Sequence, residues 1–140
     1  AATHLESFIY TYIPIFIMKE VERWLQMSKD DLNSANSNFK NRKYYVCAFL
    51  SHQVVEKALK ALLLKKIKRL IKTHDLVILG RQINLPNSLL KKCEQLSRVY
   101  IETKYGLVGE YIPSQKFKKK NSSEYLQIAR EVIRWINKNI

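Results

Sequence analysis

Residues 44–68 constrain the fold most, because hydrophobic side chains cover two adjacent stripes of the helix that this segment would form. A helix that is hydrophobic over so much of its circumference is expected at the centre of a bundle, where it contacts several neighbours. The first stripe contains Tyr45, Ala48, Phe49, Val55, Leu59, Leu62 and Leu63, and the second contains Cys47, Leu50, Val54, Ala58 and Ala61. The segment therefore predicts a helical bundle with this helix inside it.

Four further helices are predicted to pack around this central one. They are residues 18–39, a short helix capped by Thr73, residues 88–103, and a last helix capped by Ser122 or Ser123. With only 3 Gly and 3 Pro, the chain lacks the turn residues that many short strands would need. We therefore predict an all-α, antiparallel up-and-down bundle of about five helices. Residues 105–121 are the longest irregular segment and a candidate functional loop.

The N-terminal segment, residues 1–17, differs in composition from the rest. It contains no Lys or Arg, its only acid is Glu6, and its hydrophobic run is too short to span a bilayer. Pro14 is expected to interrupt a helix here, and Met18 resembles a natural start. We expect either an extension that is not native or a segment that docks on a hydrophobic groove of this chain or of a partner. Residues 18–140 form the predicted domain.

A strong excess of positive charge indicates polyanionic partners. The 25 Lys and Arg against 12 Asp and Glu give a formal net charge of +13, which attracts nucleic acids, nucleotides or acidic protein surfaces. A lysine-rich surface that is only solvated remains the alternative. Seven cations between positions 57 and 72 are predicted to form a basic, anion-attracting end of the central helix; they are Lys57, Lys60, Lys65, Lys66, Lys68, Arg69 and Lys72.

Several classes of site are excluded by missing motifs. The chain has no glycine-rich phosphate loop, His-Glu-x-x-His helix or Cys-x-x-Cys pair. Cys47 and Cys93 lie far apart within hydrophobic patterns, so we expect reduced core cysteines and a cytoplasmic protein. We expect no metal, since the three histidines, at positions 4, 52 and 74, are widely separated. We also expect no other cofactor and no membrane partner.

His74 is the histidine best placed for chemistry, because it combines a basic neighbourhood with a predicted helix start. It could hydrogen-bond a phosphate or act as a general acid or base. Alternatively, His74 and Asp75 only end the preceding loop and fix the third helix. His52 lies among hydrophobic positions and is expected in the core. Glu56 and Lys60 have the spacing of a surface ion pair, worth about 0.3–0.5 kcal/mol if exposed.

Two short stretches together resemble the HEPN domain. The first runs from Tyr44-Tyr45 through Gln53-x-x-Glu56-Lys57-x-x-Lys60-Ala61, and the second is Thr73-His74-Asp75-Leu76. The sharp matches are confined to residues 44–76, whereas the helical organisation is similar over residues 18–140. The resemblance implies an α-helical bundle that forms a homodimer through helical faces.

Many HEPN proteins are metal-independent RNases that carry Arg-x(4–6)-His on a later helix at a dimer interface. Arg69 and His74 match this spacing but lie in the connection after the central helix, and no histidine follows His74. The later segment around Tyr100 instead resembles a branch without that catalytic pair, with Lys104 where Arg is common and Gly106 where Pro is common. Lysine cannot reproduce the planar, bidentate contact of arginine.

We therefore expect a binding module rather than an enzyme. It resembles the HEPN partners of minimal nucleotidyltransferases in toxin–antitoxin-like systems and would bind a nucleotide or an RNA phosphate. The predicted ligand-binding residues are Lys57, Lys60, Arg69, Lys72, His74, Lys104, Tyr105 and Tyr111. The alternatives are an endoribonuclease toxin that uses Arg69 and His74, and a non-catalytic adaptor for an acidic protein.

Overall fold

The computed structural model describes residues 3–106 and 111–140, with the side chains of residues 6–13 left out. These ranges contain helices and no strand, which confirms the predicted all-α class. The helices are α1 (His4–Lys40), α2 (Tyr44–Ile67), α3 (Leu76–Gln82), α4 (Asn87–Tyr105), α5 (Pro113–Lys116) and α6 (Lys119–Asn139). The short α5 lies within the segment predicted to be irregular, and residues 107–110 of that segment are outside the described residues.

Helix α2 is the centre of the bundle, as its hydrophobic pattern predicted. All of its residues from Val54 to Leu64 except Lys57 are buried, and α1, α3, α4, α5 and α6 all pack against it. Helix α1 returns into α2 through a three-residue turn in which Arg42 adopts a left-handed backbone conformation (φ 60°), so the two long helices run antiparallel. Cys47 and Cys93 are buried and unbridged, which agrees with the expected core cysteines.

Two of the predicted helix starts are wrong. The cap of α3 is Asp75 rather than Thr73, because the Asp75 carboxylate accepts hydrogen bonds from the backbone N–H groups of Val77 and Ile78. Thr73 lies two residues earlier, and its hydroxyl accepts the Asp75 N–H. Helix α6 begins at Lys119, before the predicted serine caps. Ser122 is buried inside this helix, where its hydroxyl donates to the Tyr44 carbonyl across the bundle.

The predicted interruption at Pro14 is also wrong. Helix α1 continues through Pro14 from His4, although a proline inside a helix removes one backbone hydrogen bond. The turn that follows is held by the bundle, because Ile17 and Val21 pack against Ala61 and Leu64 of α2. The predicted docking of residues 1–17 on a hydrophobic groove also concerns the side chains of residues 6–13, which lie outside the described residues. No helix in residues 3–106 and 111–140 is long and hydrophobic enough to cross a membrane.

Because α2 is the centre of the bundle, truncating two leucines should lower the free energy of unfolding by unequal amounts. Leu62 is fully buried, whereas Leu70 lies just beyond the helix and is exposed. Leu62→Ala should lower the free energy of unfolding by about 2–5 kcal/mol, because it leaves a cavity in the core. Leu70→Ala should change it by less than about 0.5 kcal/mol. Urea denaturation followed by circular dichroism measures both, and equal losses would contradict the assigned core.

Candidate functional site

A cavity of about 680 Å³ lies where the segment before α3 meets α3 and α4. Its volume is within the range of small-molecule sites in proteins. The lining combines polar, charged and aromatic side chains with two hydrophobic ones; these residues are Thr73, His74, Asp75, Val77, Arg81, Glu94, Ser97, Arg98, Tyr100 and Ile101. One wall therefore comes from the Thr73-His74-Asp75 stretch that the sequence singled out, and the other comes from α4.

A buried carboxylate holds the His74 ring at this cavity. The Glu56 side chain is 5% exposed, and its Oε1 lies 2.7 Å from His74 Nδ1. The carboxylate oxygen accepts, so Nδ1 carries the proton and donates it. The His74 side chain is 59% exposed, and its other nitrogen, Nε2, has no hydrogen-bond partner among the described residues. A carboxylate that fixes one ring nitrogen and leaves the other free is the arrangement that orients catalytic and ligand-binding histidines.

His52 fixes the backbone of the same residue. Its Nε2 donates to the His74 carbonyl oxygen at 2.9 Å. His52 is completely buried, and this burial is the main reason that its pKa is lowered to about 4. The ring is therefore neutral near pH 7, with Nδ1 as a buried acceptor without a partner in the described part of the chain. His52 thus belongs to the core, as expected, and supports His74 from behind.

Tyr100 of α4 forms the aromatic wall of the cavity. The His74 ring stacks on it with centroids 4.8 Å apart and an interplanar angle of 21°, and the Phe49 ring lies 5.9 Å away. The Lys104 ammonium donates to the Tyr100 hydroxyl at 3.2 Å, and this hydrogen bond is the main reason that the pKa of Lys104 is raised. Lys104 also lies 5.4 Å from the centre of the exposed Tyr105 ring. The basic and aromatic end of α4 therefore adjoins His74.

The charges that line the cavity are mixed. Arg81 and Arg98 contribute two cations, and Asp75 and Glu94 contribute two acids. Asp75 already accepts the first N–H groups of α3, which partly satisfies its carboxylate. The Ser97 hydroxyl accepts the Leu76 N–H at 3.2 Å, so its own proton can still be donated. The cavity can therefore receive an anionic group at the arginines and hydrogen-bond donors at the acids.

Comparison with known proteins identifies the family. The sequence model of the HEPN domain matches residues 21–139. The chain belongs to the HEPN domain family. Its fold is similar to that of TT1696 from Thermus thermophilus, with a TM-score of 0.80 and 20% identity, over 86% of this chain and 98% of that chain.

A second solved structure, ST0689, an archaeal HEPN homologue, is similar with a TM-score of 0.74 and 25% identity, over 85% of this chain and 96% of that chain. Both matches extend over nearly the whole of the other protein. Among curated proteins, no sequence matches this chain significantly. The comparisons therefore assign the family and the helical fold of this HEPN domain.

Two of the predicted ligand-binding lysines do not reach the cavity. Lys57 is ion-paired with Asp31 of α1. Lys60 is also directed towards α1, since its ammonium lies 5.5 Å from the centre of the Trp24 ring, and its side chain is only 11% exposed. Neither lysine adds an unpaired cation to the predicted basic end of the central helix, because each is ion-paired where α1 covers this side of α2. The Glu56–Lys60 pair, considered as a surface pair from its spacing, is buried.

The remaining predicted residues are distributed around the cavity and beyond it. Arg69 and Lys72 are exposed in the segment between α2 and α3, and neither side chain has a hydrogen bond or ion pair within the described residues. Lys104 and Tyr105 lie at the end of α4, next to Tyr100. Tyr111 is half-buried, and its ring lies 4.6 Å from the Lys116 ammonium rather than in the lining of the cavity.

Four functional candidates were not singled out by the sequence: Arg81, Glu94, Ser97 and Arg98. A signal for some of them exists, since Glu94, Arg98, Ile101 and Tyr105 recur at helical spacing on one face of α4. That face could have been an ordinary solvated surface. It lines a cavity only because α3 packs against α4. In the described ranges, no cluster of three or more His, Cys, Asp or Glu is arranged to hold a metal ion.

The low pKa of His52 predicts a pH-dependent stability. Between about pH 6.5 and pH 4 the unfolded chain binds a proton at this position that the native chain does not, so stability falls as the pH falls through this window. The loss due to His52 is roughly 3 kcal/mol. His52→Gln keeps an N–H donor for the His74 carbonyl without a titrating ring. Urea unfolding of both proteins at pH 7 and pH 4 should show a smaller loss for the variant; parallel losses would contradict the assignment.

Proposed function

We propose that this HEPN domain binds the phosphate group of a nucleotide or of RNA in the cavity beside His74. One observation carries the proposal: the buried Glu56 carboxylate fixes His74 Nδ1 and directs the free Nε2 away from itself, in a cavity that also contains Arg81 and Arg98. Guanidinium groups commonly bind phosphate, and an imidazole nitrogen without a proton can accept a hydrogen bond from a ribose hydroxyl or a base amino group of the same ligand. Lys104 adds positive charge beside the lining, since it contacts Tyr100, and the exposed Lys72 directly precedes Thr73 of the lining.

The mixed charge of the lining favours a nucleotide or RNA over inorganic phosphate. A bare phosphate would meet the arginines and also the carboxylates of Asp75 and Glu94, which repel it. A nucleotide offers ribose hydroxyls or base amino groups that can donate to those carboxylates. The exposed Tyr105 ring offers a surface on which a base can stack. The preferred ligand is therefore one that combines a phosphate with hydrogen-bond donors and an aromatic base.

Substitution of an arginine in the cavity tests this proposal. Arg98→Gln should weaken binding of AMP and of a short single-stranded RNA by about tenfold or more, because it removes a charged hydrogen-bond donor. Arg23→Gln is the matched control: it removes the same charge from α1, where Arg23 is paired with Glu20 and contacts Met27. Calorimetric titration at two salt concentrations, with inorganic phosphate as a third ligand, measures the effect.

Absence of binding by AMP and RNA at low salt would overturn the proposal. If the two arginine substitutions weaken binding equally, the affinity comes from the net charge of +13 and not from a defined site. In either case the adaptor alternative, with an acidic protein as the ligand, becomes the better explanation of the charge. The titrations therefore separate a defined site from a diffuse electrostatic attraction.

RNA cleavage is the second candidate function, and the orientation of His74 favours it. A histidine held by a carboxylate at one nitrogen can act as a general base or acid through the other. The phosphate would then be bound by Arg69, which matches the family spacing, or by Arg98, which lines the cavity. If the domain cleaves single-stranded RNA, His74→Ala should abolish cleavage while circular dichroism shows unchanged helicity.

The two arginines can be distinguished in the same assay. Arg69→Gln and Arg98→Gln change the same charge at different places, so the larger loss of cleavage identifies the phosphate-binding residue. Cleavage that persists in His74→Ala would remove His74 from the mechanism. If the wild-type protein binds RNA without cleaving it, the proposed binding function is supported and RNA cleavage is excluded.

The proposal extends to a cellular setting, which rests on family membership and on the resemblance of the segment around Tyr100 to one HEPN branch. In this setting the domain is a cytoplasmic homodimer that acts with a minimal nucleotidyltransferase in a toxin–antitoxin-like system. Light scattering on the purified protein tests the dimer. A nucleotidyltransferase gene beside the gene for this chain, with co-purification of the two products, would support the partnership; failure of the pair to associate would count against it.

A further inference from the structure

Glu56 divides its two carboxylate oxygens between two different partners. Oε1 accepts from His74 Nδ1, and Oε2 accepts from the Lys60 ammonium at 3.2 Å. The side chains of Glu56 and Lys60 are 5% and 11% exposed, respectively. Lys60 has no other hydrogen-bond partner among the described residues. This buried cation is therefore committed to the carboxylate that holds His74, although it lines no part of the cavity.

A buried carboxylate needs a compensating charge. Without one it gains a proton, because the charged form is strongly disfavoured away from water. Lys60 supplies such a charge, since its ammonium donates to Oε2, and the carboxylate can then accept the Nδ1 proton of a neutral His74 at Oε1. The neutral ring then has its lone pair on Nε2. The cation on α2 thus determines which nitrogen of His74 is protonated at the cavity.

We propose that Lys60 is a positioning residue that keeps His74 in the neutral Nδ1–H tautomer, with an unprotonated Nε2 facing the cavity. Removing the Lys60 charge leaves the Glu56–His74 pair with one uncompensated negative charge, and the pair takes up one proton from solvent. One proton remains in the hydrogen bond between Oε1 and Nδ1, and the added proton resides on Nε2. The added proton goes to Nε2 rather than to Oε2 because an imidazole nitrogen is more basic than a carboxylate oxygen.

Other groups around His74 do not supply the same compensation. His52 faces the His74 backbone and is neutral, and Lys104 of α4 donates to Tyr100 instead of Glu56. The remaining charged groups that share the cavity with the ring are Asp75 and Arg81 on the α3 side and Glu94 and Arg98 on the α4 side. These two pairs of opposite charges offset each other, and no hydrogen bond joins them to Glu56. Among the described residues, Lys60 is the cation whose ammonium contacts the Glu56 carboxylate.

Helix α1 protects this arrangement from water. The Lys60 ammonium lies over the Trp24 ring, 5.5 Å from Nζ to the ring centre, within the range of a cation–π interaction. Trp24 belongs to the hydrophobic cluster that joins α1 to α2. The tautomer of His74 therefore depends on the packing of a helix that does not line the cavity.

The imidazole nitrogens of His74 can be examined directly. Long-range ¹H–¹⁵N spectra of the full chain near pH 8, assigned with a His74→Asn variant, show which nitrogen carries a proton. The wild type should show a protonated Nδ1 and an unprotonated Nε2, and Lys60→Met should show a protonated Nε2 at the same pH. Lys60→Arg, which keeps the charge, should resemble the wild type. Lys57→Met is the matched control, since Lys57 pairs with Asp31 instead of Glu56.

An unprotonated Nε2 in folded Lys60→Met would overturn the proposal, as would a wild-type spectrum with the proton on Nε2. The wild-type spectrum keeps the proposal falsifiable even if Lys60→Met does not fold. The importance of the tautomer for the cell rests on the proposed function, but the spectra need no ligand. Failure to bind AMP or RNA would thus overturn the function without altering this result, and an unexpected tautomer would leave phosphate binding intact.

Discussion

The burial of α2 on almost every side is the constraint from which the rest of the structure follows. Its hydrophobic residues require neighbours all around, and α1, α3, α4, α5 and α6 provide them. The same helix carries His52, Glu56 and Lys60 at intervals of four residues, and all three are buried. A polar stripe inside a bundle must be satisfied by partners from other elements, because unpaired polar groups are costly away from water.

In the segment between α2 and α3, a single residue, His74, supplies partners for His52 and Glu56. The His74 carbonyl accepts from His52, the His74 ring donates to Glu56, and Glu56 in turn accepts from Lys60. The hydrogen bonds that satisfy His52 and Glu56 therefore fix both the backbone and the ring of His74 at the surface. The candidate site is in this sense a consequence of how the core is completed, which explains why its histidine lies in a connection and not on a regular helix.

The sequence predicted the fold well because the evidence for it is local. The hydrophobic stripes in residues 44–68 indicated the extent of α2 almost to the residue, whereas capping residues were misplaced because Thr73, Asp75 and Ser122 can all cap a helix. The site was predicted only in part. His74 could be singled out from its neighbours in the chain, but the roles proposed for Lys60 and Arg98 depend on which helices pack beside them, and hydrophobic spacing contains no such information.

The structure shows that the cations behind the net charge have very different surroundings. An excess of 13 positive charges attracts polyanions from a distance whichever residues carry it. At contact distance the cations differ: Lys57 and Lys60 are held by acids beneath α1, Lys92 and Lys116 are paired with Glu131 and Glu102, and Arg81 and Arg98 line a cavity that also contains acids. Under the proposed function, long-range attraction would bring a nucleic acid or nucleotide to the surface, and selection among such ligands would fall to the few groups around His74, where a phosphate alone is a poor match.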